Sequence, residues 1–394
     1  MYRCGSSIFD VLIFGVINLE ARFDSPIYIT RPLLPDKNVI VRKLDEIVDS
    51  KKVTNIGDQH MELENALKRY LEIEHITLFN NGTMALLLGI KALGLQGEVI
   101  TTPFTFPATV QALDWNQLTP VFCDIEPHSL NIDPARIESL ITERTSAILA
   151  VHVFGNPCDV HQIQKIADRY GLKVIYDAAH AFGSRIDETP IGSYGDMTMF
   201  SFHATKLFNT IEGGALTYRD SELAPKLNLL KNFGIANEEQ VVLSGLNGKM
   251  NEIQAGIGLE VLRLVNEERS KRLEILNVYM DELRDVPGVK IVTKQNNLRS
   301  SLQYFVVRIV EDSFGKSRDW LYEELKKFNI YSRKYFYPLC SDFPWYKHLE
   351  STSVANLKVA HRISSEVLCL PFYGELGCES VRKICRIIRQ LQAM

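Results

Sequence analysis

Strand and helix signals alternate through most of this chain, and few architectures accept that alternation. Glu98–Thr101, Pro120–Ile125, Ala147–Val153 and Leu172–Tyr176 are short apolar runs of strand length, and Met197–Phe200 reads as a strand end. Between them stand helix starts. Leu78–Leu86 turns from strand to helix at Gly82, and Asp133-Pro134-Ala135-Arg136 pairs an N-cap with a proline at the first helical position. Runs that are apolar throughout, joined by helices, predict a mostly parallel sheet covered on both faces. No GxGxxG and no GxxxxGK[ST] occurs, so dinucleotide-binding and P-loop readings have no support.

At 394 residues the chain exceeds one ordinary core, so a large domain and a smaller one are expected. Val39–Val48, Met61–Leu71 and Leu223–Leu230 show helical spacing. From about Ser270 the pattern changes to a smaller α/β unit: Leu273, Leu276, Met280 and Leu283 on one helix face, a strand at Leu302–Val310 and a helix at Asp319–Phe328. The expected division is an atypical leader over 1–25, a large domain over 26–269 and a small C-terminal domain over 270–394. Ile8–Leu19 is apolar but broken by Asp10 and far too short to span a membrane.

A net charge of −4 without a long basic run points to neither nucleic acid nor an anionic membrane as partner. Seven scattered cysteines, with no CxxC and no Cys/His cluster at zinc spacing, favour free thiols in a reducing cytoplasm and no metal site.

Two segments carry chemistry. Leu172–Tyr176 ends in Asp177-Ala178-Ala179-His180, which presents an acid at the carboxyl end of a parallel strand, where open α/β sheets bind ligands. Ser201–Gly214, Ser-Phe-His-Ala-Thr-Lys-Leu-Phe-Asn-Thr-Ile-Glu-Gly-Gly, puts Lys206 on a turn between two strands and closes on glycines that permit a close backbone approach. A lone lysine is usually a solvated charge. A buried lysine with an aspartate facing a pyridinium nitrogen is the arrangement for pyridoxal 5′-phosphate (PLP). Gly82-Thr83 at a helix start is an anion site made of backbone N–H groups, or by itself an ordinary helix start.

Asp177-Ala178-Ala179-His180-Ala181, Ser201-Phe202-His203-Ala204-Thr205-Lys206 and Glu212-Gly213-Gly214 resemble the DegT/DnrJ/EryC1/StrS family of sugar-nucleotide aminotransferases, from about Pro26 to the C-terminus. The resemblance implies a fold-type I PLP-dependent aminotransferase: an α/β protein with a mostly parallel seven-stranded sheet and a smaller C-terminal α/β domain. It assigns Lys206 to the covalent hold on PLP and to proton transfer, and Asp177 to the ring nitrogen. Gly82, Thr83 and Ser201 fall to the phosphate, Phe106 to stacking on the ring, and His180 and His203 to the cofactor's surroundings. Core packing would also account for Phe106. The resemblance also places Thr54, Asn55 and Gly57 at the mouth, and carries Asn247, in Gly245–Ala255, across a homodimer interface to the partner's phosphate. His152 could be catalytic, but reads rather as packing and hydrogen-bonding at the floor of the site.

Tyr331–Leu339 combines cations and aromatics, and Arg333 and Tyr337 are candidates for the nucleotide and sugar, unless they merely pack on the surface. Relatives carry histidine shortly after this proline; here Cys340 and Ser341 follow. Family dehydratases replace the lysine with histidine, so Lys206 favours transamination. The implied reaction moves nitrogen from L-glutamate to the C4 ketone of dTDP-4-keto-6-deoxy-D-glucose, for a surface polysaccharide such as O-antigen. A 3-keto sugar is the closest rival. The same motifs would also suit a PLP enzyme of another class, and the same fold could serve a non-catalytic regulatory protein.

Overall fold

The computed structural model describes residues 22–292 and 298–394; most of the expected leader lies outside them. The first strand, β1 (Ile27–Tyr28), runs parallel to a strand late in the chain, Ile330–Tyr331, so the N-terminal arm is tied to the C-terminal part.

The centre is a seven-stranded sheet. Its strands are β2 (Ile76–Phe79), β3 (Glu98–Thr101), β4 (Thr119–Phe122), β5 (Thr145–Val151) and β6 (Lys173–Asp177). After a small hairpin, β7 (Arg185–Ile186) and β8 (Thr189–Pro190), follow β9 (Met197–Ser201) and β10 (Gly214–Tyr218). The order is β2-β10-β9-β6-β5-β3-β4, parallel except for β10, which is antiparallel to both neighbours. The apolar runs are buried on both faces, as a parallel sheet between helices requires.

Helices α1 (Lys37–Ser50), α2 (Asp58–Leu71), α3 (Gly82–Leu93) and α4 (Pro107–Asp114) precede the short α5 (Pro134–Ile137), which Asp133 caps from its side chain as the Asp-Pro signal predicts. Then come α6 (Val160–Tyr170), α7 (Leu223–Leu230), α8 (Glu252–Leu262) and α9 (Val265–Leu283). One apolar core joins α2, α6 and α8 to the sheet, and another joins α3 and α7 to it.

A second sheet, Val289–Ile291, Phe305–Ile309 and Val367–Leu370, has a core of its own with α9 and the last helix, Gly377–Gln392. Helix α9 crosses position 270, the expected domain boundary, without a break.

Sequence expectations shift in places: the strand expected at Leu302–Val310 is Phe305–Ile309, and that expected at Pro120–Ile125 is Thr119–Phe122. The run at Ala147–Val153 ends as a strand at Val151, because His152 leads into a 3₁₀ turn in which Phe154 takes φ 56°. On α9 Leu273 is half exposed, whereas Ile275, Tyr279 and Leu283 are buried. Apolar residues along this helix fit two overlapping faces, and Tyr279 selects one. Its ring stacks on Phe305 at 4.3 Å, and its hydroxyl donates to the Pro371 carbonyl at 2.9 Å.

Candidate active site

The carboxyl ends of β6 and β9 deliver Asp177 and Ser201 to the same side of the sheet, and the turn from β9 to β10 brings Lys206 over them. Gly214 is what lets this turn close. A Cβ there would come within 2.6 Å of the Gly82 backbone, so only glycine allows β10 to pass the start of α3.

These elements surround a cavity of about 280 Å³ lined by Gly82, Thr83, Phe106, Asp177, His180, Ser201, His203, Lys206 and Arg333, all of them singled out from the sequence. At one end α3 begins. Asn81 caps it, accepting from the Met84 N–H at 2.8 Å, and leaves the N–H groups of its first residues without helical partners. A helix start of this kind attracts an anion such as a phosphate.

Asp177 lies at the base. Its Oδ2 accepts from the Thr109 hydroxyl at 2.7 Å and its Oδ1 from the Ala179 N–H at 3.0 Å. Burial pushes its carboxyl above the usual range, while these two bonds and the Lys206 charge favour the ionised form. Burial pulls the Lys206 amine down to about 8; Asp177 opposes this and the Arg333 guanidinium adds to it. A lysine in this range can both carry and release a proton near neutral pH.

His180 is buried, its ring parallel to those of Phe154 and Phe336 at 6.3 and 5.9 Å and edge-on to Tyr304 at 4.9 Å. Burial, then the Lys206 charge, hold its imidazole well below the usual histidine range. Its Nδ1 is buried without a hydrogen-bond partner among the described residues, and the residue lines the cavity. His152, by contrast, is fully buried and stacked on Tyr176 at 4.7 Å. Its Nδ1 accepts from the Cys158 N–H at 3.1 Å, and burial pulls it down to about 3.

His203 Nδ1 accepts from the Thr205 N–H at 3.2 Å, which leaves the Nε2 proton facing Glu212 Oε1 at 3.6 Å. Phe106 is 51% exposed, so packing in the core does not account for it.

Thr54, Asn55, Asn247 and Tyr337 stand outside the cavity in this chain. Thr54 and Asn55 are exposed on the turn before α2, with Asn55 at φ 62°. Asn247 is exposed, and its backbone bridges to Asn232. Tyr337 is 57% exposed beneath the Arg318 guanidinium, 5.4 Å from its ring centre. Cys340, where relatives carry histidine nearby, is buried, and its N–H donates to the Pro103 carbonyl at 3.0 Å.

Sequence reasoning passed over Thr109, Thr205, Glu212, Tyr335 and Glu252. Thr105 and Thr109 stand four apart, one turn at a helix start, and their hydroxyls meet at 2.8 Å beneath Asp177. That spacing was the available signal.

Glu252, the first residue of α8, accepts from the N–H groups of Gly57, Gln59 and His60 at 3.0, 2.8 and 3.2 Å, and so caps α2 from another helix. Its own N–H donates to the Val53 carbonyl, which fixes the Thr54–Asn55 turn. Glu252→Ala strands three donors. It is expected to lower the unfolding free energy by about 3 kcal/mol, read from urea denaturation of the cofactor-free protein.

The sequence profile described as the DegT/DnrJ/EryC1/StrS aminotransferase family matches residues 36–389. The chain belongs to that family. Among its relatives, a dTDP-4-amino-4,6-dideoxy-D-glucose transaminase of Escherichia coli is 46% identical over 93% of this chain and 98% of its own length. One of the same name from Shigella dysenteriae is 44% identical over 94% of this chain and all of its own. The solved structure of DesI in the presence of its TDP-sugar product superposes with a TM-score of 0.90, at 36% identity and 94% coverage of each chain. Helicobacter pylori PseC, an aminotransferase involved in the biosynthesis of pseudoaminic acid, gives 0.87 at 29% identity, over 94% of this chain and 100% of its own.

This family member is therefore an enzyme, an aminotransferase, and its cofactor is PLP. The cavity fits that cofactor, with an anion-binding helix start, a buried carboxylate, a lysine and an exposed aromatic around one space. No helix among the described residues is long and apolar enough to cross a membrane, and none of their His, Cys, Asp and Glu groups could hold a metal ion.

Proposed function

We propose that this enzyme transfers the amino group of L-glutamate to the C4 ketone of dTDP-4-keto-6-deoxy-D-glucose, giving dTDP-4-amino-4,6-dideoxy-D-glucose for a surface polysaccharide, in the cytoplasm. One observation carries the reading: Lys206, Asp177 and the start of α3 share a cavity in a chain 46% identical to a transaminase named for that product.

PLP supplies an electron sink that stabilises negative charge on the carbon losing its proton. The protein supplies everything around it. The start of α3 and the Ser201 hydroxyl anchor the phosphate, and Asp177 keeps the ring nitrogen protonated. Phe106 covers one face of the ring. Lys206 Nζ would hold the cofactor, and as a free amine it would carry a proton to and from the substrate carbon. Arg333, exposed at the edge of the cavity with its guanidinium 4.5 Å from the Tyr335 ring centre, attracts the carboxylates of glutamate and then the diphosphate of the sugar nucleotide.

The functional unit in this reading is a homodimer with shared sites, in which Asn247 serves the partner's phosphate and Thr54, Asn55 and Tyr337 act near the mouth. Support comes from the exposed apolar residues Ile235, Val241, Val242 and Leu246 beside Asn247, which a second copy would cover.

Incubation with PLP, L-glutamate and dTDP-4-keto-6-deoxy-D-glucose is expected to yield 2-oxoglutarate and a product whose NMR spectrum places the amine on C4. A product formed only from the 3-keto isomer would move the chemistry to C3, as in the dTDP-3-amino-3,6-dideoxy-alpha-D-galactopyranose transaminase of Aneurinibacillus thermoaerophilus, 31% identical to this chain over 85% of its length and 90% of the relative's. No glutamate consumption with either ketone would overturn the proposal.

A further inference from the structure

Beyond the residues that face the cofactor, one side chain ties the two halves of its cradle together. Gln254 is the third residue of α8 and forms a reciprocal cap with Asn251. The Gln254 N–H donates to Asn251 Oδ1 at 2.8 Å, and the Asn251 N–H donates to Gln254 Oε1 at 3.1 Å. In such a cap the amide nitrogen of the glutamine is spare, and glutamate serves equally well.

Here that nitrogen is in use. Nε2 donates to the Asn80 carbonyl at 3.2 Å and to the Glu212 carbonyl at 2.7 Å. An amide nitrogen has two protons, so both donors are spent and Oε1 is occupied by the cap.

The two carbonyls belong to different parts of the site. Asn80 precedes Asn81, the cap of α3, so the orientation of its carbonyl sets the peptide that leads into the phosphate end of the cavity. Glu212 closes the turn that carries Lys206 and lines the cavity itself. Its carbonyl also accepts from the Thr210 hydroxyl at 2.7 Å, which holds the turn internally, whereas Gln254 joins it to the other half. The Asn80 N–H donates to the Gly248 carbonyl at 2.9 Å, so the peptides on both sides of Asn80 are fixed by the 247–254 segment.

We infer that Gln254 is a positioning residue for PLP, acting by holding the phosphate turn and the lysine turn in register, apart from its part in capping α8. The inference rests on the assignment of Gly82 and Lys206 to the cofactor. Gln254→Glu separates the two roles. Glutamate keeps the capping oxygen, but its second oxygen meets two carbonyls in place of a donor. Asn251→Ala does the reverse, removing the side-chain cap while leaving both bonds from Nε2.

The experiment is a PLP titration of the cofactor-free protein by visible absorbance, alongside thermal unfolding of the same samples. Gln254→Glu is expected to unfold cooperatively and to raise the Kd for PLP at least ~10-fold, the loss of about one good hydrogen bond. Asn251→Ala is expected to lower the melting temperature and to leave that Kd within about twofold, since both amide bonds survive. A Gln254→Glu protein that binds PLP like wild type overturns the clamp alone. So does an Asn251→Ala protein that loses affinity to the same extent, because capping would then explain both. Wild-type protein that takes up no PLP overturns the clamp together with the cofactor assignment on which it rests.

Discussion

Lys206→Ala is expected to abolish amination, lowering kcat by about 10³-fold or more, while circular dichroism shows an unchanged fold. No other amine among the residues lining the cavity can take its place. The magnitude is that of losing the proton carrier and the covalent hold on the cofactor proposed for Lys206. Near-normal product formation by the variant, followed by NMR, would remove Lys206 from the chemistry.

The same residue has a second, pH-dependent signature in the cofactor-free protein. Burial holds its amine at about 8 in the folded state against an ordinary 10.5. Between those values the unfolded chain binds the extra proton, so stability rises with pH across that window. Below pH 8 the lysine is charged in both states, and its burial costs on the order of 3 kcal/mol. Lys206→Met is expected to flatten the rise, measured as urea-unfolding free energy from pH 7.5 to 10.5. Lys231, also buried and lowered to about 8, titrates in the same window and remains in both proteins, so the difference between the two curves isolates Lys206.

Asp177→Asn is expected to be nearly as damaging, with kcat down by about 10²-fold or more and weaker PLP binding. An amide carries no charge to keep the ring nitrogen protonated. It also cannot accept on both sides as the carboxylate does, from Thr109 at 2.7 Å and from Ala179 at 3.0 Å. Stopped-flow absorbance of the half-reaction with glutamate alone separates this from any effect on the sugar. Unchanged kinetics would exclude the ring-nitrogen role.

The parts of this site that could be read from the chain are those fixed by local backbone. Asp177 ends an apolar run, Lys206 sits between two strand signals, and Gly82 opens a helix; each was placed by its immediate neighbours in sequence. The mostly parallel sheet follows from the same periodicities, its seven strands were what the family resemblance implied, and of the smaller sheet only the strand around Phe305–Ile309 was legible. What could not be read depends on elements far apart in the chain. Glu252 caps a helix nearly two hundred residues before it, and Thr109 reaches Asp177 from another helix. The Glu252 contact has no period or local motif to announce it, and for Thr109 the only local signal was its spacing from Thr105. Thr54, Asn55, Asn247 and Tyr337 stand outside the cavity in this chain. Leu273 shows the remaining difficulty: where apolar residues satisfy two helix faces, the packing of a single tyrosine decides between them.

The antiparallel β10, laid between β2 and β9, also dictates when this site can exist during synthesis. Strand β2 emerges early and cannot reach β9 directly; its neighbour is the last strand of the sheet to be made. Until Gly214–Tyr218 has paired on both sides, the start of α3 and the lysine turn belong to separate pieces of chain. The cradle is thus a product of sheet closure, and a ligand that binds only the closed cradle adds its binding free energy to the stability of the closed sheet. A nascent chain ending before β10 would carry every cavity residue from Gly82 to Glu212 in sequence and still lack the surface they form.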